Sequence, residues 1–265
     1  MKKISKISFF YFLFFAVYLA INTVFEFVEV TPFDSLICSV LNLLLIIFLI
    51  IYFILVNKKK RCINIFFCDL EPERFMEQVK KLDFLFSDFE KDYYTAIYYR
   101  VIEQNHKALE VVKKMDTYIN KENKYMYYFL ASDYCKCYIA LNNKELAQYY
   151  LNLAMGLVGS IKSNKKRNGC QFNADLLERT FYINFDETYS DYFYFERLLN
   201  SGYSYYRRGL YNTLNIILLR YNLALIYKRV GNIQLANANF QYVVNNGKNL
   251  PIVIRAKKQL ENLMV

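Results

Sequence analysis

Chemistry in this chain would have to start from few side chains, and His106 is the only histidine among 265 residues. A histidine acts as a general base, or activates a nucleophile, only with a Cys, Ser or carboxylate partner within hydrogen-bond reach. Nothing in the spacing around Asn105, His106 and Lys107 fixes such a partner, and the position reads as an exposed polar residue in a turn. The six cysteines, Cys38, Cys62, Cys68, Cys135, Cys137 and Cys170, lack the dense spacing of a disulfide framework, so reduced thiols are expected. Cys135 and Cys137 stand two apart in a helical pattern, point in different directions and do not share a metal. Cys62 and Cys68 have no matching histidine or second Cys pair for zinc. The stretch "GLVG" at 156–159 lacks the Lys-Ser/Thr of a phosphate loop and follows a helix instead of opening one. Glu71, Glu73 and Glu77 suit helix starts and solvated faces, where negative charge is mildly stabilising. No catalytic residue, cofactor or metal site is expected, and the chain does not read as an enzyme.

The elements that carry these residues are set by composition. Hydrophobic residues make up 55% of the chain and aromatics 18%, while Gly and Pro number only 7 and 3, too few for the turns of an all-β protein. Helix is the expected element throughout. The net charge is +10, but Lys and Arg are spread along the chain, with local clusters at Lys58, Lys59, Lys60, Arg61 and at Lys165, Lys166, Arg167. Neither cluster belongs to a base-reading motif, so nucleic acid is not the expected partner.

Residues 7–27 and 36–56 are nearly all apolar, and 21 helical residues rise roughly 31 Å, about the thickness of a bilayer's hydrocarbon core. The link "EVTPFDS" carries acidic residues only, whereas Lys2, Lys3, Lys6 and the 58–61 cluster flank the two runs. By the positive-inside rule residues 1–61 are expected to form a two-helix transmembrane hairpin in the cell membrane, with both termini cytoplasmic. Lys58, Lys59, Lys60 and Arg61 would then face the anionic headgroups of the lipid bilayer. Asn22 and Asn42, at similar depth, are candidates for a hydrogen bond across the hairpin, and Glu26 would lie near the outer interface.

Residues 62–265 show a recurrence. "AIYYRVIEQNHKALEVV" sets Ala96, Tyr99, Ala108 and Val112 at the same offsets as Cys135, Tyr138, Ala147 and Leu151 in "CKCYIALNNKELAQYYL". "ALIYKRVGNIQLANANF" repeats them with Ala224, Tyr227, Ala236 and Phe240, and Met115, Ala154 and Val243 each follow three residues later. Residues three or four apart share a helix face, so each segment predicts two helices nested at a small residue. The turns fall at Gln104-Asn105, Asn142-Asn143 and Gly231-Asn232. Between the second and third segments, "SIKSNKKRNG" reads as an exposed loop, and residues 170–202 read as a degenerate repeat with Tyr189, Phe193 and Leu198 near one face. Ahead of the first segment, "DLEPERFMEQVKKLDFLF" predicts a leading helix with Asp69 as N-cap and Pro72 in the first turn.

These segments resemble tetratricopeptide (TPR) repeats, whose signature is a small residue, then Tyr, then Ala, then a large apolar residue at these separations. Pro251 comes a few residues later than the family pattern, and the first two segments lack a terminal Pro. The resemblance implies an all-α, TPR-like α-α superhelix with repeats near 89–122, 128–160 and 217–250. It also implies a partner groove lined by first helices, which places Tyr93, Ile97, Arg100, Ser132, Lys136, Tyr221, Leu225, Lys228 and Arg229 on that surface. Basic and aromatic groups predominate there, which suits a protein or peptide partner with acidic residues. The expected function is a membrane-anchored scaffold for protein-protein interaction. Alternatives are a peptide-sensing receptor and an accessory subunit of a membrane transporter or enzyme.

Overall fold

Few breakers and a 3.6-residue apolar period leave helix as the only way to satisfy the backbone over most of this chain. In the computed structural model, which describes residues 32–200 and 212–263, every regular element is helical and no strand occurs among those residues. The chain is therefore all-α over its described length. The helices are α1 (Pro32–Phe67), α2 (Pro72–Lys81), α3 (Asp88–Val101), α4 (Asn105–Asp116), α5 (Lys124–Ala140) and α6 (Lys144–Val158). They continue with α7 (Asn164–Phe185), α8 (Tyr192–Asn200), α9 (Thr213–Arg229), α10 (Ile233–Asn246) and α11 (Pro251–Glu261), and a 3-10 turn spans Asp83–Leu85. Two units result. One takes in the chain up to Ile65 and Glu73–Lys91; the other is Phe66–Pro72 with Asp92–Val265.

In the first unit, α1 is 36 residues long and does not stop at the basic cluster. Among the described residues no helix is long and apolar enough to cross a membrane, which overturns the expected two-pass placement in the cell membrane. The other expected span, at 7–27 with Asn22 and Glu26, lies outside the described residues, as do the Asn42 and Cys38 side chains. Large apolar side chains such as Leu43, Ile46, Leu49, Ile50 and Phe53 stand exposed along the described run.

The basic cluster is not a uniform surface either. Lys58, Lys60 and Arg61 are exposed, but Lys59 pairs with Glu90 at 2.7 Å and lies 5.0 Å from the centre of the Phe86 ring. Glu90 is held by a capping box: its carboxylate accepts from the Ser87 backbone N–H at 2.9 Å, and its own N–H donates to the Ser87 hydroxyl at 3.2 Å. Burial alone would raise the Glu90 pKa, but the hydrogen bonds from Lys59 and Ser87 outweigh it and leave the carboxyl below its ordinary value. The leading helix begins at Pro72, so Asp69 lies too far upstream to cap it. Asp69 belongs to the second unit, within which its backbone carbonyl accepts a hydrogen bond from Lys248.

The second unit is built on helix pairs joined by one recurring turn. Glu103, Asn142 and Gly231 have φ of 61°, 56° and 76°, at equivalent places in the three repeats. After each, a backbone N–H reaches back to a tyrosine carbonyl: Gln104 to Tyr99 at 2.8 Å, Asn143 to Tyr138 at 2.9 Å, Asn232 to Tyr227 at 2.9 Å. These are Schellman closures, which satisfy the last carbonyls of the first helix with one left-handed residue. Asn143 and Asn232 then cap the second helix, accepting from the N–H of Leu146 and Leu235. Gln104 makes no side-chain cap. Nesting follows from the small residues: Ala96, Ala108, Cys135, Ala147, Ala154, Ala224 and Ala236 are all fully buried, as are Val112, Met115, Phe240 and Val243. Tyr227 is buried as well, whereas Tyr99 and Tyr138 are half-buried.

Residues 160–200 depart from expectation. Lys165, Lys166 and Arg167 are helical because Ser163 caps α7, and Cys170, Ala174, Leu177 and Phe181 form a buried stripe that needs a long helix to carry it. That stripe packs on the α5–α6 pair. Tyr189 falls in a loop, Phe193 is 68% exposed and Leu198 is buried, so these three do not share a face. Tyr194, Phe195 and Leu198 make the inward side of α8 instead.

At the far end α10 and α11 meet at Gly247, where an added Cβ would run into Val253 and stand 2.7 Å from the Val243 carbonyl oxygen. Replacing Gly247 with Ala is expected to cost about 1–3 kcal/mol through overpacking. Urea denaturation followed by circular dichroism measures it, and an unchanged midpoint would show that α11 gives way at no cost.

Candidate functional site

α5 reads "KYMYYFLASDYCKCYIA", so Asp133 is its one carboxylate among mostly apolar neighbours. A buried charge of that kind must be paired or hydrogen-bonded. Asp133 is 1% exposed, and its Oδ1 accepts from Arg100 Nη1 on α3 at 2.8 Å. Lys136, one turn further along α5, lies 3.6 Å from the same oxygen. Two cations thus face one carboxylate, leaving a local excess of one positive charge. Asp133 Oδ2 is buried and accepts no hydrogen bond from the protein.

Burial and its partners tune the groups. Desolvation pulls Arg100 down, but Asp133 more than compensates, so the guanidinium is raised and stays charged. Lys136 is lowered, first by burial and then by Arg100, with Asp133 opposing. Its side chain nevertheless keeps 41% exposure, as expected of an ammonium in a recess and not on open surface. Burial raises the Tyr93 hydroxyl, and the Asp133 charge adds to the effect. Tyr93 meets Phe129 edge-on at 6.2 Å, which ties α3 to α5 beside the charged cluster.

Of the groove residues expected from sequence, Tyr93, Ile97, Arg100 and Lys136 lie on α3 and α5, and the Arg100–Asp133–Lys136 cluster links those two helices. Ser132 is 3% exposed and presents no surface. Tyr221 is buried beneath the Arg255 guanidinium, 5.1 Å from its ring centre, and Leu225 is half-buried. Lys228 donates to Gln259 on α11 at 2.9 Å. Arg229 donates to the backbone carbonyls of Ile183 and Asp186 at the end of α7. Lys228 and Arg229 therefore fasten α9 to neighbouring helices, although Arg229 is itself exposed, and Lys136 is the half-exposed cation of the α3–α5 cluster.

Asp133, Glu103, Arg255 and Gln259 escaped sequence reading. The signal for Asp133 was present: a lone carboxylate in an apolar helix implies a buried cation opposite it. Arg255 meets Glu103 at 2.8 Å although 152 residues separate them, a contact that no local pattern encodes.

Other reactive groups are quiet. His106 is exposed in the first turn of α4. Cys62, Cys135, Cys137 and Cys170 are buried, and burial pushes the Cys135 thiol up to about 12, away from the reactive thiolate. Gly156 and Gly159 end α6. Among the described residues no three His, Cys, Asp or Glu side chains are arranged to hold a metal ion. No family model, curated protein or solved structure matches this chain.

Proposed function

We propose that the second unit is a TPR-like interaction module that holds a protein or peptide segment carrying acidic residues. The observation that carries this reading is the half-exposed Lys136 ammonium beside the Arg100–Asp133 pair, where net positive charge meets solvent next to the Tyr93 and Phe129 rings. An acidic side chain or terminal carboxylate could accept from Lys136 in a charge-assisted hydrogen bond, while the rings offer apolar contact. The matching burial of small residues in three helix pairs, and the shared turn between their helices, support a repeat architecture of this kind. Scaffold function follows from such a surface without any chemistry.

The test is binding of a peptide array graded in acidic content, read at low and at physiological salt. Acid-rich peptides are expected to bind, more weakly as salt rises. Lys136→Glu is expected to lower their affinity about tenfold or more, since it replaces an attraction with a repulsion. Arg100 is a poor probe because its loss would leave Asp133 buried and unpaired. Binding that ignores acidic content, or that survives Lys136→Glu unchanged, overturns the proposal.

A further inference from the structure

A second recess lies where α8 meets the turn between α9 and α10. Its volume is about 330 Å³, and Tyr192, Glu196, Tyr227, Val230, Asn232 and Leu235 line it. The Tyr192 and Tyr227 rings stand 5.3 Å apart and tilted by 34°. The Tyr227 hydroxyl donates to Glu196 Oε1, and burial together with that carboxylate raises the Tyr227 hydroxyl above its ordinary pKa. Among the described residues no Lys or Arg forms an ion pair with Glu196, although the Arg220 charge acts on the Tyr227 hydroxyl that Glu196 binds, whereas Asp191 has Arg179 at 3.6 Å. In a chain of net charge +10, a carboxylate with no ion pair among the described residues, in a recess with two tyrosines, stands out.

We infer that this recess binds a guanidinium group presented by an arginine side chain of a partner protein. The chemistry is complementary on three counts. Glu196 supplies negative charge and a free lone pair for an N–H donor. The half-exposed Tyr192 ring attracts a flat cation by its quadrupole, and guanidinium stacks on such a face better than ammonium does. Val230 and Leu235, 42% and 41% exposed, flank the opening and would take the methylene stem. Ligand pockets usually begin near 300 Å³, so the recess has room for one side chain and little more. The site lies in the turn region of the third helix pair, away from Lys136, and it attracts the opposite charge. Its occupant is therefore not the acidic segment proposed above.

The probe is N-acetyl-arginine amide, titrated against the full chain at physiological salt and followed by ligand-observed NMR. Its control is N-acetyl-citrulline amide, which has the same shape without the charge. A millimolar Kd for arginine is expected, with at least about tenfold preference over citrulline. Glu196→Gln keeps an acceptor for Tyr227 and is expected to abolish the preference, as is Tyr192→Leu; circular dichroism checks that both remain folded. Lys136→Glu should leave it intact, which separates this site from the one above. Equal binding of arginine and citrulline, unchanged preference in Glu196→Gln, or no binding in the millimolar range overturns the inference. N-acetyl-lysine amide binding as tightly as arginine would overturn the guanidinium assignment.

Discussion

Replacing Asp133 with Ala will lower the unfolding free energy by about 3–5 kcal/mol, the range seen when one partner of a buried ion pair is removed. The carboxylate is 1% and the Arg100 side chain 14% exposed, so water cannot take over the lost contact at 2.8 Å. What costs so much is the stranded guanidinium, because the pair itself recovers little beyond its own desolvation. The double variant Arg100→Met with Asp133→Leu should therefore regain most of the loss, since two apolar side chains of similar size strand no buried charge and Lys136, 41% exposed, keeps its access to water. Urea titration of the wild type, both single variants and the double variant gives the coupling directly. A loss below about 1 kcal/mol in Asp133→Ala, typical of a solvated pair, would show that solvent reaches the cluster.

Phe240→Ala will cost a similar amount, about 3–5 kcal/mol, through lost transfer energy and the cavity left behind. Phe240 has no exposed surface and meets the Tyr221 ring at 5.6 Å between α9 and α10. Leu151 holds the equivalent place in the α5–α6 pair and is 1% exposed, so Leu151→Ala should fall in the range of about 2–5 kcal/mol. Ile254, 71% exposed on α11, is the control, and its truncation should stay within about 0.5 kcal/mol. Thermal melts of the three variants would show the ordering. If Phe240→Ala and Ile254→Ala melted alike, the three segments would not share one buried register.

These two predictions draw on sequence signals of different quality. The burial of Ala96, Cys135, Ala224 and Phe240 was readable because local geometry sets it: a helix face recurs every three or four residues, and a small side chain there admits a neighbour. The turns were readable at Asn142 and Gly231, residues that tolerate positive φ, but Glu103 adopts the same conformation with no such preference. Its geometry follows from the two helices it joins. The helix through Lys165 and Lys166 was missed because a cluster of charge looks like a loop, and only the Ser163 cap and the apolar stripe beyond Gly169 reveal the continuous rod. The second expected span is overturned because, among the described residues, no helix is long and apolar enough to cross a membrane. At the candidate site Arg100 and Lys136 came from the resemblance to TPR repeats, whereas Asp133 depends on which helix lies opposite, and one-dimensional spacing does not contain that.

Glu103 and Arg255 bring the first turn of the second unit against its last helix, and Lys248 leans toward Glu71 at 3.8 Å beside them. These side chains are well exposed, and ion pairs in contact with water add only about 0–1 kcal/mol each. The two ends are thus adjacent yet lightly clasped. Counterions compete for such a clasp, so its grip weakens as ionic strength climbs. Any breathing of this unit would begin at that seam, where separating the ends breaks exposed charge pairs, the Lys248–Asp69 hydrogen bond and the Arg255 cover on Tyr221, well before the interlocked alanines let go.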